Sequence, residues 1–130
     1  MLTIREPFAS LIKEGIKCVE TRSWKTNYRG EVYIHAGLAK INMKDERINE
    51  LLDFLSSKEM QYGKIICKCN LVDCVYMDED YIKNIKNNDK EYLCGKYEIG
   101  RYAWVLELVE VLEEPILAKG QLGFWNYYGD

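Results

Sequence analysis

Residues 64–77 read KIICKCNLVDCVYM, and this stretch says most about the sheet that the chain can build. Apolar residues alternate from Ile65 to Leu71, and the alternation then changes phase at Val72 and continues to Tyr76. An alternation of period two predicts a β-strand, and a change of phase within it indicates a β-bulge or a sharp bend. Long strands that change faces partway are expected in a small coiled barrel, where one strand serves two sides.

A second stretch, residues 102–112, has the same property. Its alternating apolar residues change phase between Leu108 and Val109, which predicts a second long strand. Three shorter strands are predicted at residues 2–4, 17–24 and 31–36.

Helices are predicted between these strands. Residues 7–14 have an apolar face and end before Gly15, a natural C-terminal stop. A longer helix is predicted to begin near Met43 with Asn42 as its cap, and a short one near residues 81–85. The order lacks the regular alternation of parallel βαβ units. The prediction is therefore an α+β fold with a mixed or closed barrel and helices at its side.

Size and composition fit one globular domain over residues 1–130. Apolar residues make up 48 % of the chain and charged residues 30 %, which is an ordinary globular balance. No apolar run reaches the ~18 residues that a membrane span needs, and the N-terminus lacks a signal-peptide pattern. We therefore expect a cytoplasmic protein with no membrane partner.

The five cysteines give no sign of a metal centre. No Cys-x-x-Cys pair occurs, and Cys67 and Cys69 are too close together for a usual zinc pair. We expect small buried hydrophobic residues here instead. No cofactor is expected either, since Gly95 and Gly100 do not form a glycine-rich phosphate loop.

Charge is unevenly distributed along the chain. Residues 1–30 carry six basic and three acidic side chains, although the whole chain has a net charge of -3. An acidic total disfavours a protein that coats nucleic acid nonspecifically. A local basic face that binds phosphate at one position is still compatible with this acidic net charge.

The densest cluster of chemically useful groups lies in residues 17–24, KCVETRSW, with Arg29 and His35 after it. Strand alternation places Glu20 and Arg22 on one face, about 6–7 Å apart at the backbone, and Trp24 extends that face. Glu20 would form an ion pair with Arg22 or with Lys17. A guanidinium binds phosphate bidentately and an indole stacks on a base, so this face can hold a nucleotide.

Structural roles explain the same residues equally well. The cluster can be a surface strand of alternating charges with one packed Trp, and structural ion pairs are common. His35 can be a proton shuttle or a strand residue with satisfied hydrogen bonds. The aromatic tail at residues 124–128 can be a contact patch, although a plug of the barrel end by Trp125 is the preferred interpretation. The acidic segment at residues 78–91 contains the predicted short helix, and its residues 78–80 can shape the mouth of a cleft; the sequence does not decide its role.

Several blocks of the chain resemble the ASCH domain family, which belongs to the PUA-like superfamily. They read PFASLI at 7–12, GIK at 15–17, ETRSW at 20–24, YRG at 28–30, IHA at 34–36, YAW at 102–104 and KGQLGFW at 119–125. The resemblance implies a PUA-like β-barrel with a cleft beside it that holds RNA or a nucleotide. Phe8 stands where the family commonly has Trp.

Some small members of this family are enzymes, including a ribonuclease and an amidohydrolase that deacylates modified cytidine. In the amidohydrolase type a Lys and a Thr are catalytic. Lys17 matches that Lys, but Glu20 stands where the Thr would be. The chain is more similar to the branch named after a eukaryotic transcription coactivator, which carries Glu there.

The resemblance favours a binding module for RNA, single-stranded nucleic acid or a nucleotide. In this hypothesis Lys17, Arg22 and Arg29 meet phosphate or base edges, and Trp24 stacks. The ligand site would be formed by Lys17, Glu20, Arg22, Ser23, Trp24, Arg29 and His35.

Two alternatives remain open. One is a small hydrolase, a ribonuclease or a nucleoside amidohydrolase. In that case Lys17 and Glu20 would be catalytic, and Arg22 or His35 would stabilise developing negative charge. The other is a protein-interaction module in which the cluster is only structural.

Overall fold

The computed structural model describes residues 1–119. The elements in chain order are β1 Leu2–Ile4, α1 Phe8–Lys13, β2 Val19–Arg22, β3 Gly30–Ala36, α2 Glu46–Asp53, β4 Lys64–Tyr76, α3 Glu79–Ile85, α4 Asp89–Leu93 and β5 Tyr102–Leu117. The five strands form a mixed sheet and helices flank it, so the predicted α+β class is confirmed.

The strands lie in the order β1-β3-β4-β5-β2. β1 pairs with β3 in parallel, and the other neighbours are antiparallel. Val72 is an extra residue on β4 and Val109 is an extra residue on β5 in the pairing of these two long strands. Both extra residues stand at the predicted phase changes, because one inserted residue moves every following side chain to the other face.

The sheet curls but does not close through strand pairing within residues 1–119. β1 and β2 are its two edges, and α1 follows β1 in the chain. A side chain joins the two edges: Nη2 of Arg22 on β2 donates a hydrogen bond to the Thr3 carbonyl of β1 at 3.2 Å. The predicted barrel is therefore incomplete, with a seam between β1 and β2.

Apolar side chains fill the inside of the curled sheet. Trp104, Ile34 and Leu71 are buried there, and Ala9 and Ile12 of α1 pack against them. Cys67 and Cys69 belong to the same core, whereas Cys18 is exposed. A second cluster joins α1 to α2, and a third lies under α3. Within the described residues, no helix has the length and apolarity needed to cross a membrane.

β2 is shorter than predicted because both of its ends make other contacts. The N–H of Lys17 donates to the Leu11 carbonyl at 3.1 Å, which binds this residue to the end of α1. At the other end, the Trp24 carbonyl accepts from Nε1 of Trp104 at 3.1 Å. The strand therefore covers Val19–Arg22 and not residues 17–24.

Other elements also differ from the prediction. The cap of α2 is Asp45, which accepts from the Arg47 N–H at 2.9 Å, and not Asn42. β5 extends to Leu117 because its partner β4 begins at Lys64, which pairs with Leu117. α4 was not predicted. The predicted plug by Trp125 lies outside the described residues.

Candidate functional site

A pocket of about 710 Å³ opens at the seam between β1 and β2. Its walls come from both edge strands, from the segment after β3 and from the residues just before and just after β5. The lining residues are Thr3, Ile4, Arg5, Phe8, Glu20, Thr21, Arg22, Ser23, Trp24, His35, Gly37, Leu38, Arg101 and Lys119. Five of the seven predicted ligand-site residues are among them.

Arg22 is held rigidly at the centre of this seam. Its guanidinium carbon lies 5.4 Å from the Trp24 ring and 5.7 Å from the Trp104 ring. Nη2 is bonded to the Thr3 carbonyl and, at 2.8 Å, to a Glu20 oxygen. Nε is buried and has no hydrogen-bond partner among the described residues. Cation–π contacts and two hydrogen bonds thus orient the guanidinium before any ligand arrives.

Glu20 lies between two cations. One carboxylate oxygen is 2.8 Å from Nη2 of Arg22, and the other is 3.7 Å from Nζ of Lys17. Both predicted ion pairs of Glu20 are therefore present together. The side chain is only 12 % exposed, so this small solvent-facing part presents a fixed acceptor to the pocket.

Lys17 lies behind Glu20 and does not line the pocket. The residue is 2 % exposed, and its ammonium donates to the carbonyls of Val19 and, at 2.8 Å, of Cys94. It also lies 5.6 Å from the centroid of the Phe8 ring. Because its protons are directed at carbonyls and at Glu20, this geometry holds the carboxylate in place and keeps the ammonium away from the pocket.

His35 is buried and lines the pocket from β3. Its Nε2 donates to the Ala118 carbonyl at 2.6 Å, because a carbonyl can only accept. A neutral ring then accepts at Nδ1 from the Thr3 hydroxyl, 3.2 Å away. The hydrogen bonds of this ring thus join β3 to β1 and to the segment after β5.

Trp24 and Ser23 lie at the exposed mouth of the pocket. The Trp24 ring is 48 % exposed and packs edge-on against Trp104, with 5.9 Å between centroids. This contact supports the ring while much of the Trp24 side chain remains accessible. Arg29 lies elsewhere: it pairs with Asp73 at 3.8 Å and bonds to nearby carbonyls.

Sequence reasoning did not find three cations of the pocket. Arg5, Arg101 and Lys119 line it together with Arg22, and Glu20 is the only acidic side chain among the lining residues. The excess positive charge of residues 1–30 was a weak signal for Arg5. The KGQLGFW block contained Lys119, but nothing local distinguishes Arg101. The combined charge makes the pocket electropositive and suited to an anion.

The segment that follows α3 supports the site from behind. Glu91 of α4 is 5 % exposed and accepts from the Cys18 N–H at 2.7 Å. Burial raises the pKa of this carboxyl, while the N–H of Cys18, the charge of Lys17 and the N–H of Val19 oppose that shift. Cys18 itself is exposed, and burial of part of its thiol, with the charge of Glu91, raises its pKa.

The described part of the chain has no group of three or more His, Cys, Asp or Glu side chains placed to hold a metal ion.

Comparison with known proteins identifies the family of the chain. Residues 2–116 match the ASCH domain family. Activating signal cointegrator 1 of Homo sapiens is 31 % identical over 81 residues, a stretch that covers 57 % of this chain and 14 % of the relative. The protein of the same name from Mus musculus has the same identity and coverage. The chain thus corresponds to a small part of these relatives, and the family match over nearly its whole length shows that it belongs to the ASCH domain family.

Proposed function

We propose that the chain binds single-stranded RNA, or a nucleotide, in the pocket at the β1–β2 seam. The observation that carries this proposal is the fixed guanidinium of Arg22, which contacts two indole rings and lies beside a single carboxylate. Fixed charge-assisted donors next to an accessible aromatic face are the elements with which proteins recognise unpaired nucleotides.

The base of the nucleotide would lie on Trp24. This ring is partly exposed and braced by Trp104, so it can stack without being reorganised. The oxygen of Glu20 that faces the pocket would accept from an amino or imino group of the base. The guanidinium of Arg22, whose side chain is 18 % exposed and lines the pocket, would donate to a base carbonyl.

The phosphate would be held by the other cations. Arg5, Arg101 and Lys119 line the same pocket, and a dianionic or monoanionic phosphate satisfies guanidinium and ammonium donors well. In this arrangement Lys17 and Arg29 of the predicted site do not contact the ligand. Lys17 orients Glu20, and Arg29 belongs to another surface.

A single unpaired nucleotide fits this pocket better than a duplex does. The positive side chains converge on one cavity, and the chain as a whole carries a net charge of -3. A protein that binds a duplex needs an extended basic surface that neutralises many phosphates. The affinity of such a protein falls steeply with salt, because many counterions are released on binding. We expect a shallow salt dependence here, because few phosphates are neutralised.

Fluorescence anisotropy with a short fluorescein-labelled oligouridylate RNA tests this proposal, with ribonucleoside 5′-monophosphates as competitors. Arg101→Gln is expected to weaken binding about tenfold, equivalent to about 1.4 kcal/mol, and to make the salt dependence shallower. Trp24→Ala is expected to weaken binding by about 1–3 kcal/mol, since it removes the stacking surface.

Lys83→Gln is the matched control, because Lys83 is an exposed cation on α3 and does not line the pocket. Equal loss of affinity in Lys83→Gln and Arg101→Gln would show nonspecific electrostatic attraction and overturn the proposal. Failure of the wild-type protein to bind any of these RNAs or nucleotides would overturn it as well.

A further inference from the structure

Glu91 is a buried carboxylate outside the pocket that the proposed function does not use. It lies on α4, and its Oε1 accepts from the main-chain N–H of Cys18 at 2.7 Å, across 73 positions of sequence. Its Oε2 is buried and has no hydrogen-bond partner in the described part of the chain. A buried carboxylate with one unsatisfied oxygen costs stability, so a purely structural site would be better served by an uncharged side chain.

The contacts of this segment converge on the residue that orients the pocket. Glu91 holds the N–H of Cys18, directly after Lys17, and the N–H of Val19 also favours its ionised form. The Cys94 carbonyl, at the end of α4, accepts from the Lys17 ammonium at 2.8 Å. The main chain beside Lys17 and the end of its side chain are thus both tied to the α4 region.

We propose that Glu91 is a positioning residue for the pocket: by bonding the main chain at the start of β2 from α4, it fixes Lys17 and so the carboxylate of Glu20. This inference rests on the proposed function, because it assigns α4 a part in the binding of the same ligand. The acidic segment before β5 is then the rear support of the site, and a change at α4 reaches the ligand through Lys17 and Glu20.

The charge of Glu91 gives the proposal a distinctive signature. The ionisable groups that face it are Lys17, Cys18, Tyr81, Cys94 and Tyr97. Burial, followed by the charge of Glu91, raises the pKa values of Tyr81 and Tyr97, and burial raises that of Cys94 to about 11. These tyrosine and cysteine groups stay neutral in acid, so Glu91 is the member of this set that gains a proton there.

The first test uses the ligand-free protein and therefore does not depend on the proposed function. Glu91→Gln keeps the shape of the side chain and removes its charge, and Glu50→Gln, an exposed site on α2, is the control. We expect Glu91→Gln to shift the NMR signals of the Cys18 and Val19 amides, the Lys17 ammonium and the Glu20 carboxyl. Unchanged Lys17 and Glu20 signals in a folded Glu91→Gln protein would overturn the proposal, whatever the protein binds.

The second test measures affinity for the same oligouridylate without terminal phosphates, whose charge does not change in mild acid. We expect Glu91→Gln to bind about tenfold more weakly than wild type, the effect of losing roughly one hydrogen bond to a charged group. Wild-type affinity should fall as the pH is lowered through the raised pKa of Glu91. That part of the pH profile should be missing in Glu91→Gln, which retains Glu20.

Equal affinities and equal pH profiles in wild type and Glu91→Gln would overturn the proposal. Should Glu91→Gln fail to fold, Glu91→Asp replaces it: the charge remains, but the shorter side chain draws the oxygen away from the Cys18 N–H. We expect weaker binding in Glu91→Asp as well, and wild-type affinity in a folded Glu91→Asp would contradict the assigned role.

Discussion

The two ion-pair groups near the N-terminal end of the chain differ in their surroundings. In the first, Lys17, Glu20 and Arg22 have side chains that are 1 %, 12 % and 18 % exposed. In the second, Arg29 and Asp73 are 41 % and 60 % exposed and 3.8 Å apart. Both groups also donate to carbonyls, but these hydrogen bonds are buried or partly buried in the first group and exposed in the second, where water can replace them.

Burial, and not closeness in sequence, therefore separates the candidate site from a surface contact in this chain. Arg29 is only seven positions after Arg22, yet it does not line the pocket. Exposed pairs contribute about 0–1 kcal/mol, because water screens them and ordering two long side chains costs entropy. Removal of one partner from a buried ion pair strongly lowers the stability of the protein, because the remaining charge then has neither its partner nor water around it.

The largest effect is expected for Lys17→Met. This substitution keeps most of the volume but leaves the Val19 and Cys94 carbonyls without their donor and Glu20 with one cation. We expect the free energy of unfolding, measured in urea, to fall by about 2–4 kcal/mol. Lys25→Met, at an exposed site of the same segment, is the control and should change little. Equal stability of the two variants would remove the contrast between buried and exposed groups.

Arg22→Lys should have the next largest effect. The ammonium keeps the charge but lacks the planar guanidinium that contacts Trp24 and Trp104 while it also bonds to Thr3 and Glu20. We expect a loss of about 1–2 kcal/mol in unfolding free energy from the cation–π contacts and the seam hydrogen bond. Affinity for oligouridylate should fall in the same variant. A protein with wild-type stability and affinity would show that the guanidinium plane does not matter.

The pH dependence of the unfolding free energy should distinguish the buried carboxyl of Glu91 from the exposed carboxyl of Glu50. Burial raises the pKa of Glu91 in the folded protein above its unfolded value of about 4.3. The folded state therefore binds the proton more tightly, and this contribution to stability is full at low pH and is lost as the pH rises through the raised pKa. Relative to wild type, Glu91→Gln should gain unfolding free energy over this rise, while Glu50→Gln should not. A constant difference between wild type and Glu91→Gln would contradict this.

The smallest effect is expected for Arg29→Ala. Its ion pair with Asp73 is exposed, so we expect the unfolding free energy to change by no more than about 0.5 kcal/mol. RNA affinity should stay within about twofold of wild type, because the residue does not line the pocket. If Arg29→Ala lowered RNA affinity as much as Arg101→Gln, the ligand would contact both the pocket and the exposed Arg29–Asp73 pair, and the two regions would not differ in function.

The long strands were predictable because their information is local. An inserted residue at Val72 or at Val109 changes the parity of all later side chains, and this change is readable in one segment. α4 was not predictable in this way. It is only five residues long, and its place depends on the Asn88 cap and on the distant contact of Glu91.

The sequence predicted the geometry of the candidate site only for residues within a single strand, β2. Glu20 and Arg22 are two positions apart on β2, so their pairing follows from strand geometry. Extended to Lys17, the same alternation would put its side chain on the face opposite Glu20. The alternation does not apply there, because the main chain of Lys17 belongs to the end of α1, where its N–H bonds to Leu11.

By itself, the sequence determined the periodicity of the strands, the α+β class and the Glu20–Arg22 pair, because each depends on residues within one element. Tertiary structure alone brought Arg5, Arg101 and Lys119 to one pocket, buried Lys17 behind it and set Glu91 against the start of β2. The Lys17–Cys94 bond spans 77 positions, and burial depends on which elements pack together. Long-range contacts and burial cannot be read from neighbouring residues in the chain, because both arise only when the sheet curls and its edges approach each other.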